Sequence, residues 1–230
     1  GTLNVDASTV ADVTNDGGAV AIDAGQQLTG AFASSDDNAT TTVDGQIVGN
    51  VTLSDGSVTL ETGAGNPTPA AGVLGVGVTG NVLASSGTLT MEDDTGVGGG
   101  IALSGDAGLV VNGDVTVANG IVNGSSTTLN LTGGHTVTSD LTVNAGTTNN
   151  TNTIAGDVVV SGGTLSNQTG GKILDDNVVV SSGELDADGG TFRTAADTAN
   201  STVAVSGTGT LDVNEATAFT SVTNTGGTVR

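Results

Sequence analysis

Chemistry in this chain has few residues to start from. There is one histidine, His135, and no cysteine. A serine-histidine-aspartate triad would have to use His135, and no Gly-x-Ser-x-Gly elbow supplies its serine. A metal site with two histidines is excluded by the count, and so are thiol catalysis, thiolate sites and disulfides. In Gly133-Gly134-His135-Thr136, the histidine reads as a surface or turn residue. The other reactive groups are carboxylates, grouped as Asp36-Asp37, Glu92-Asp93-Asp94 and Asp175-Asp176. Calcium takes oxygen ligands, so Glu92, Asp93 and Asp94 are the candidate calcium residues; the plainer reading is a solvated corner. Neither the Gly-Gly-x-Gly-x-Asp nonapeptide nor an EF-hand loop is present, and adjacent acids on a strand point to opposite faces. Apart from calcium, no cofactor is expected.

Two further patterns carry little. Gly96-Val97-Gly98-Gly99-Gly100 is followed by no Lys-Ser/Thr and opens no helix, so it reads as a flexible corner rather than a phosphate cradle. Asn-x-Ser/Thr occurs at Asn38, Asn50, Asn123, Asn130, Asn149, Asn167 and Asn200. That is close to the number the composition gives by chance, so glycosylation is permitted and not indicated.

The elements that must position these groups are strands and turns. The 230 residues include 39 glycines and three phenylalanines, with no tryptophan or tyrosine. Large aromatics fill wide cores, so a narrow core built from Val, Ile, Leu and Ala is expected. Val and Thr favour strands because branching at Cβ suits a pleated surface, while Gly, Asn and Asp suit turns. No segment has a helical period, so any helix would be a short cap. Lys172, Arg193 and Arg230 are the only cations against 24 acids, a formal net charge of −21. Nucleic-acid binding needs clustered Lys and Arg and is excluded; attraction to anionic lipid fails for the same reason. No run of 18 apolar residues could span a membrane. The chain begins with Gly1, carries no basic, apolar leader, and reads as a processed product or a piece of a larger protein.

One pattern recurs: a polar corner, two apolar residues one position apart, a turn with glycine, then another apolar residue. It begins at Val51, Val82, Val115, Leu141, Val158, Val178 and Val203, usually after Asn or Asp, with successive copies 17 to 33 positions apart. Propeller blades and immunoglobulin-type sandwiches need longer units. Such spacings suit coils of a solenoid whose short strands pair in parallel with the coils above and below. The expected fold is all-β, a parallel β-helix (β-solenoid) of roughly ten irregular coils, with tandem antiparallel sandwiches as the rival. Residues 1–44 are expected to be degenerate coils or a cap, 45–213 the repeats, and 214–230 a final coil or cap. Gly63 to Gly77, with Pro67 and Pro69, is the expected projecting loop. Thr147-Thr148-Asn149-Asn150-Thr151-Asn152 reads either as a loop or as a stacked Asn/Thr ladder.

At these residues the chain resembles the passenger domains of bacterial autotransporter adhesins and related secreted β-helix proteins, whose coils carry turns such as Ser161-Gly162-Gly163-Thr164-Leu165. The resemblance covers about residues 45 to 213. It implies the right-handed hand of the helix, export in the unfolded state, and a role in attachment or self-association at a bacterial cell surface. Absence of cysteine fits passage through a narrow pore. The family's C-terminal membrane barrel has no counterpart here.

The leading expectation is therefore a non-enzymatic, extracellular surface stalk or adhesin; the alternative is a subunit of a self-assembling filament or coat. A β-helix polysaccharide-active enzyme would need basic groups near clustered acids, and cations are too few. Expected partners are further copies of the chain or other surface proteins and glycans, with no nucleic acid and no direct membrane insertion. One interface candidate stands out. Outward positions are polar or small in Thr52, Thr116, Thr142 and Ala204, but are Val159 and Val179 in two consecutive copies. These valines should stack side by side and form a docking ridge, unless a flanking loop such as Gln168 to Lys172 covers them. Leu83 is a further candidate for such a stripe.

Overall fold

The computed structural model describes residues 1–61, 77–215 and 217–230. Parallel strands stack as a β-solenoid of about 11 turns, and no helix occurs among the described residues. Two compact units are present, Gly1–Gly120 and Ile121–Arg230. The expected projecting loop from Gly63 to Gly77 falls, except for Gly77, outside the described residues.

In the first unit each full coil carries three short strands. The coil Phe32–Ser34, Ala39–Val43 and Gln46–Val48 is one example. It is followed by Val51–Leu53 and Ser57–Leu60, with Val78 bridging to Ile47 and Val97 on the third side. Pairing is parallel and in register, as in Val51 with Phe32 and Val82. The same stacking reaches back to Thr2–Val5, whose partners run from Thr2–Ala19 to Val5–Ile22.

The second unit repeats the scheme. Leu141–Val143, Val158–Val160, Asn177–Val180 and Thr202–Ser206 form one side. Thr147–Asn150, Thr164–Gln168, Glu184–Asp188 and Thr210–Val213 form the next. All pairings between these strands are parallel; the antiparallel contacts are the isolated bridges Gln168–Gly189 and Arg193–Asn200.

Alternation along each strand selects the core. Val51, Val82, Val115, Leu141, Val158, Val178 and Val203, the first apolar residue of each copy, are all buried. Burying such a side chain is worth about 1.5–3 kcal/mol, and each coil supplies several. A coil cannot bury its inner face alone, so that gain is realised only between stacked coils.

The turns are set by glycine. Gly87 has φ +76°, and a Cβ there would collide with the Gly56 carbonyl of the coil below. Gly183, at φ +72°, meets the Gly162 and Gly163 carbonyls in the same way. Only a residue without a Cβ lets one turn rest on the next.

The corners before the Val-containing strands explain their Asn and Asp residues. Asn50 Oδ1 accepts a hydrogen bond from Asn81 N at 2.8 Å, and Asn81 Oδ1 accepts from Gly100 N at 2.9 Å. Asp12 serves Ala31, Asp140 serves Asp157 and Asp176 serves Ala195 in the same way. A corner amide without a sheet partner is thus bonded by the side chain one coil below, which ties successive coils together at the surface.

The Thr147 to Asn152 segment is not a loop. Thr147–Asn150 is a strand, and Thr148, Asn150 and Asn152 point into the core. Asn150 Nδ2 donates to Asn167 Oδ1 at 2.9 Å, and Asn167 Nδ2 donates to the Thr191 carbonyl at 3.2 Å. Asn123 Nδ2 donates to Thr148 Oγ1 at 2.9 Å. Composition predicts a narrow aliphatic core; this part is polar, with the Asn123, Asn150 and Asn167 amides bonded and Asn152 Nδ2 buried without a partner.

Candidate functional site

Stacking in register turns sequence positions into columns, so residues near in space are usually one coil apart. The acids show this best. Glu92, Asp93 and Asp94 occupy one corner, but their partners lie elsewhere. Glu92 Oε1 accepts from Asn112 Nδ2 at 2.8 Å, Asp93 Oδ1 accepts from Asp114 N at 2.8 Å, and Asp94 adopts φ +58° in the turn. Among the described residues, no three His, Cys, Asp or Glu side chains come together to hold a metal ion.

The register places Glu92 beside Glu61 instead. Each follows the last residue of its strand, and those residues, Met91 and Leu60, are partners. By the same rule Asp6, Asp23, Asp44, Glu61 and Glu92 form one column along a corner of the first unit. The signal was present in the sequence as an acid directly after each apolar strand. Variable coil length hid it.

The other acid pairs also separate. Asp36 Oδ1 accepts from the backbone N–H and side-chain amide of Asn38, which hold its carboxyl below the usual value. Asp175 is buried, and its two oxygens accept from Val158 N at 2.8 Å and Asn177 N at 2.9 Å. Burial pushes its carboxyl above the usual range and the neighbouring charges of Asp157 and Asp176 add to this, against the pull of those two donors. Asp157, Asp175 and Asp176 border a shallow cleft of about 290 Å³.

The cations are committed to ion pairs. Asp197 pairs with Lys172 Nζ at 2.6 Å and with Arg193 Nε at 3.2 Å. Arg230 pairs with Glu184 at 2.6 Å and Asp212 at 2.9 Å. His135 is half-buried at a corner where Asn152 Oδ1 accepts from the backbone N–H groups of Gly134 and His135. The glycine-rich stretch is a packed corner: Gly96 lies in a strand beside Thr116, and a Cβ on Gly98 or Gly99 would press on Thr79, Gly80 or Asn81. Asn123 and Asn167, both in Asn-x-Ser/Thr sites, are fully buried and inaccessible to glycosylation.

The outer faces are the other candidates. Val159 and Val179 are register partners and both are half-buried. Their column continues to Thr142 on one side and Ala204 on the other. Leu83 is 52% exposed but stands between Thr52 and Ala102, so it is an isolated apolar residue and not part of a stripe.

Comparison with protein-family models, with curated proteins and with solved structures finds no match. The class therefore rests on the fold: the chain is a β-solenoid repeat protein.

Proposed function

We propose that this chain is an extracellular structural and adhesive solenoid, a surface stalk or adhesin of the kind found in bacterial autotransporter passengers. The observation that carries this reading is how its side chains are used. Inward columns are packed, corner carboxylates hold the next coil's amides, and the cations are tied in ion pairs. What remains is the outer surface, where like groups align on successive coils, as in the Asp23, Asp44 and Glu61 column. Such a surface suits attachment by repeated weak contacts, whose avidity exceeds that of each alone. The net charge of −21 keeps such a surface hydrated and discourages non-specific collapse.

The test is display of the chain on a non-adherent bacterial cell, scored for attachment to abiotic and glycan-coated surfaces and for cell-to-cell clumping. Gain of attachment or clumping over cells displaying an unrelated solenoid is expected; no gain in any of the three rejects the adhesive reading.

One observation favours self-assembly into a filament or coat as a second reading: the Val159–Val179 pair on an outward face. Val159→Thr with Val179→Thr keeps strand propensity and removes the apolar contact. Under that reading, the parent self-associates by light scattering and the double variant does not.

A further inference from the structure

The first unit carries a regular two-dimensional array of hydroxyl groups. Thr40 and Thr42, Ser57 and Thr59, and Thr88 and Thr90 are the outward residues of three successive parallel strands. Residues between them, Thr41, Val58 and Leu89, are buried, which fixes the outward direction of the other six. Register is strict: Thr40 pairs with Ser57 and Ser57 with Thr88, while Thr42 pairs with Thr59 and Thr59 with Thr90. Thr40 and Thr42 are exposed and the other four half-buried. Among the described residues, none of the six hydroxyls bonds to another group of the chain.

Neighbouring strands stand about 4.8 Å apart, and outward residues on one strand about 6.6–6.8 Å apart. A direct hydroxyl–hydroxyl bond needs roughly 2.5–3.0 Å, and none forms among these six, which leaves each hydroxyl open to water. A bridging water makes hydrogen bonds nearly as good as a direct one. Threonine holds few χ1 rotamers, so the bridging waters inherit the spacing of the strands. Water held on this face would repeat with the strands, at spacings close to those of oxygen atoms on a prism face of ordinary ice. Methyl groups between the hydroxyls bind no water and leave those positions fixed.

We propose that this face binds the surface of ice. The six residues carry no charge, so no ion hydration shell breaks the lattice. A sugar polymer is the obvious competitor for a hydroxyl array, but sugar binding favours an aromatic platform. Phe32 and Phe192 are buried, and Phe219 stacks on Phe192 in the other unit. This inference is independent of the adhesive reading and can fail without affecting it.

The test uses the whole purified chain in two assays: incorporation of fluorescently labelled protein into a slowly growing ice crystal, and slowing of ice recrystallisation. Thr59→Tyr places a bulky side chain at the centre of the array while keeping strand propensity. Thr52→Tyr does the same at an exposed outward position on another sheet of the same unit. The parent and Thr52→Tyr should enter ice and slow recrystallisation, and Thr59→Tyr should lose both effects with an unchanged circular-dichroism spectrum. Exclusion of the parent from ice overturns the proposal. So does a folded Thr59→Tyr as active as the parent, or equal loss in Thr52→Tyr. Should Thr59→Tyr fail to fold, Thr42→Tyr, exposed in the first row, is read by the same criteria.

Discussion

Two asparagine ladders in the second unit offer a controlled comparison of burial. Both link register neighbours through an amide–amide hydrogen bond of 2.9 Å: Asn150 to Asn167 inside the core, and Asn149 to Asn130 on the outer face. Asn167→Ala removes the acceptor of Asn150 Nδ2 and the donor to the Thr191 carbonyl. Asn150 Nδ2 keeps the Asn152 carbonyl at 3.0 Å, so its loss is partial. Two net hydrogen bonds at about 1 kcal/mol each, plus a desolvation cost of about 1–3 kcal/mol for groups left unpaired, give a destabilisation of roughly 3–5 kcal/mol. Asn149→Ala leaves its partner open to water, which replaces the bond, and should cost about 0.5 kcal/mol or less. With no tryptophan or tyrosine in the chain, urea unfolding followed by far-ultraviolet circular dichroism is the suitable assay. Equal shifts of the midpoint in the two variants, or a shift below about 0.5 kcal/mol for Asn167→Ala, would refute the view that the interior ladder holds these coils together.

Three further outcomes follow from the packing and charge. Val158→Asp, at a fully buried position between Leu141 and Val178, should unfold the second unit or lower its melting temperature sharply, because the carboxylate finds no partner there; an unchanged melt contradicts the burial. Asp175 has a raised folded-state pKa, so its contribution is greatest when protonated and is lost as pH rises through that value. Asp197 has a lowered one and contributes above its unfolded value, losing that as pH falls through the folded value. Acidifying from about pH 7 to about pH 4, close to the unfolded carboxyl value of about 3.9, should therefore favour the parent over Asp175→Asn, compared through each protein's own change in melting temperature; identical changes reject the assignment. In the acidic column, Glu61→Gln should raise the melting temperature at low salt and have no such effect near 1 M salt, where screening is short-ranged; a salt-independent effect rules out repulsion as its cause.

The sequence made the strand interiors legible because alternation is local. Val51 and Leu53, or Val203 and Val205, declare their inward direction through the Thr52 or Ala204 between them, and all four are buried. The corner Asn and Asp residues were equally visible, although their bonding to the amide one coil on was not. What stayed hidden depends on register. Adjacency in the chain groups Glu92 with Asp93 and Asp94, whereas its neighbours on the next coils are Glu61 and Asn112. Coils of unequal length prevent that pairing from being counted out along the chain. The polar core was ambiguous for a different reason: Thr148, Asn150 and Asn167 are turn-forming or surface residue types, and only the partners supplied by adjacent coils make their burial tolerable. The hydroxyl array was missed on the same ground, since Thr40, Ser57 and Thr88 form a row only once three strands are aligned.

The core, the corner bonds and the outer columns all depend on coils stacking in this register, and the absence of native cysteine allows that to be tested by a disulfide. Thr52 and Leu83 are outward register partners although 31 positions apart in the chain. Adjacent strands bring paired Cα atoms within the roughly 4.4–6.8 Å that a disulfide requires. Mild oxidation of the double variant Thr52→Cys with Leu83→Cys should give an intramolecular disulfide in near-complete yield, seen by mass spectrometry. Thr52→Cys with Ala84→Cys, one position out of register and facing the opposite side, should remain reduced. Cross-linking of the second pair in preference to the first, or of neither, would contradict the stacking.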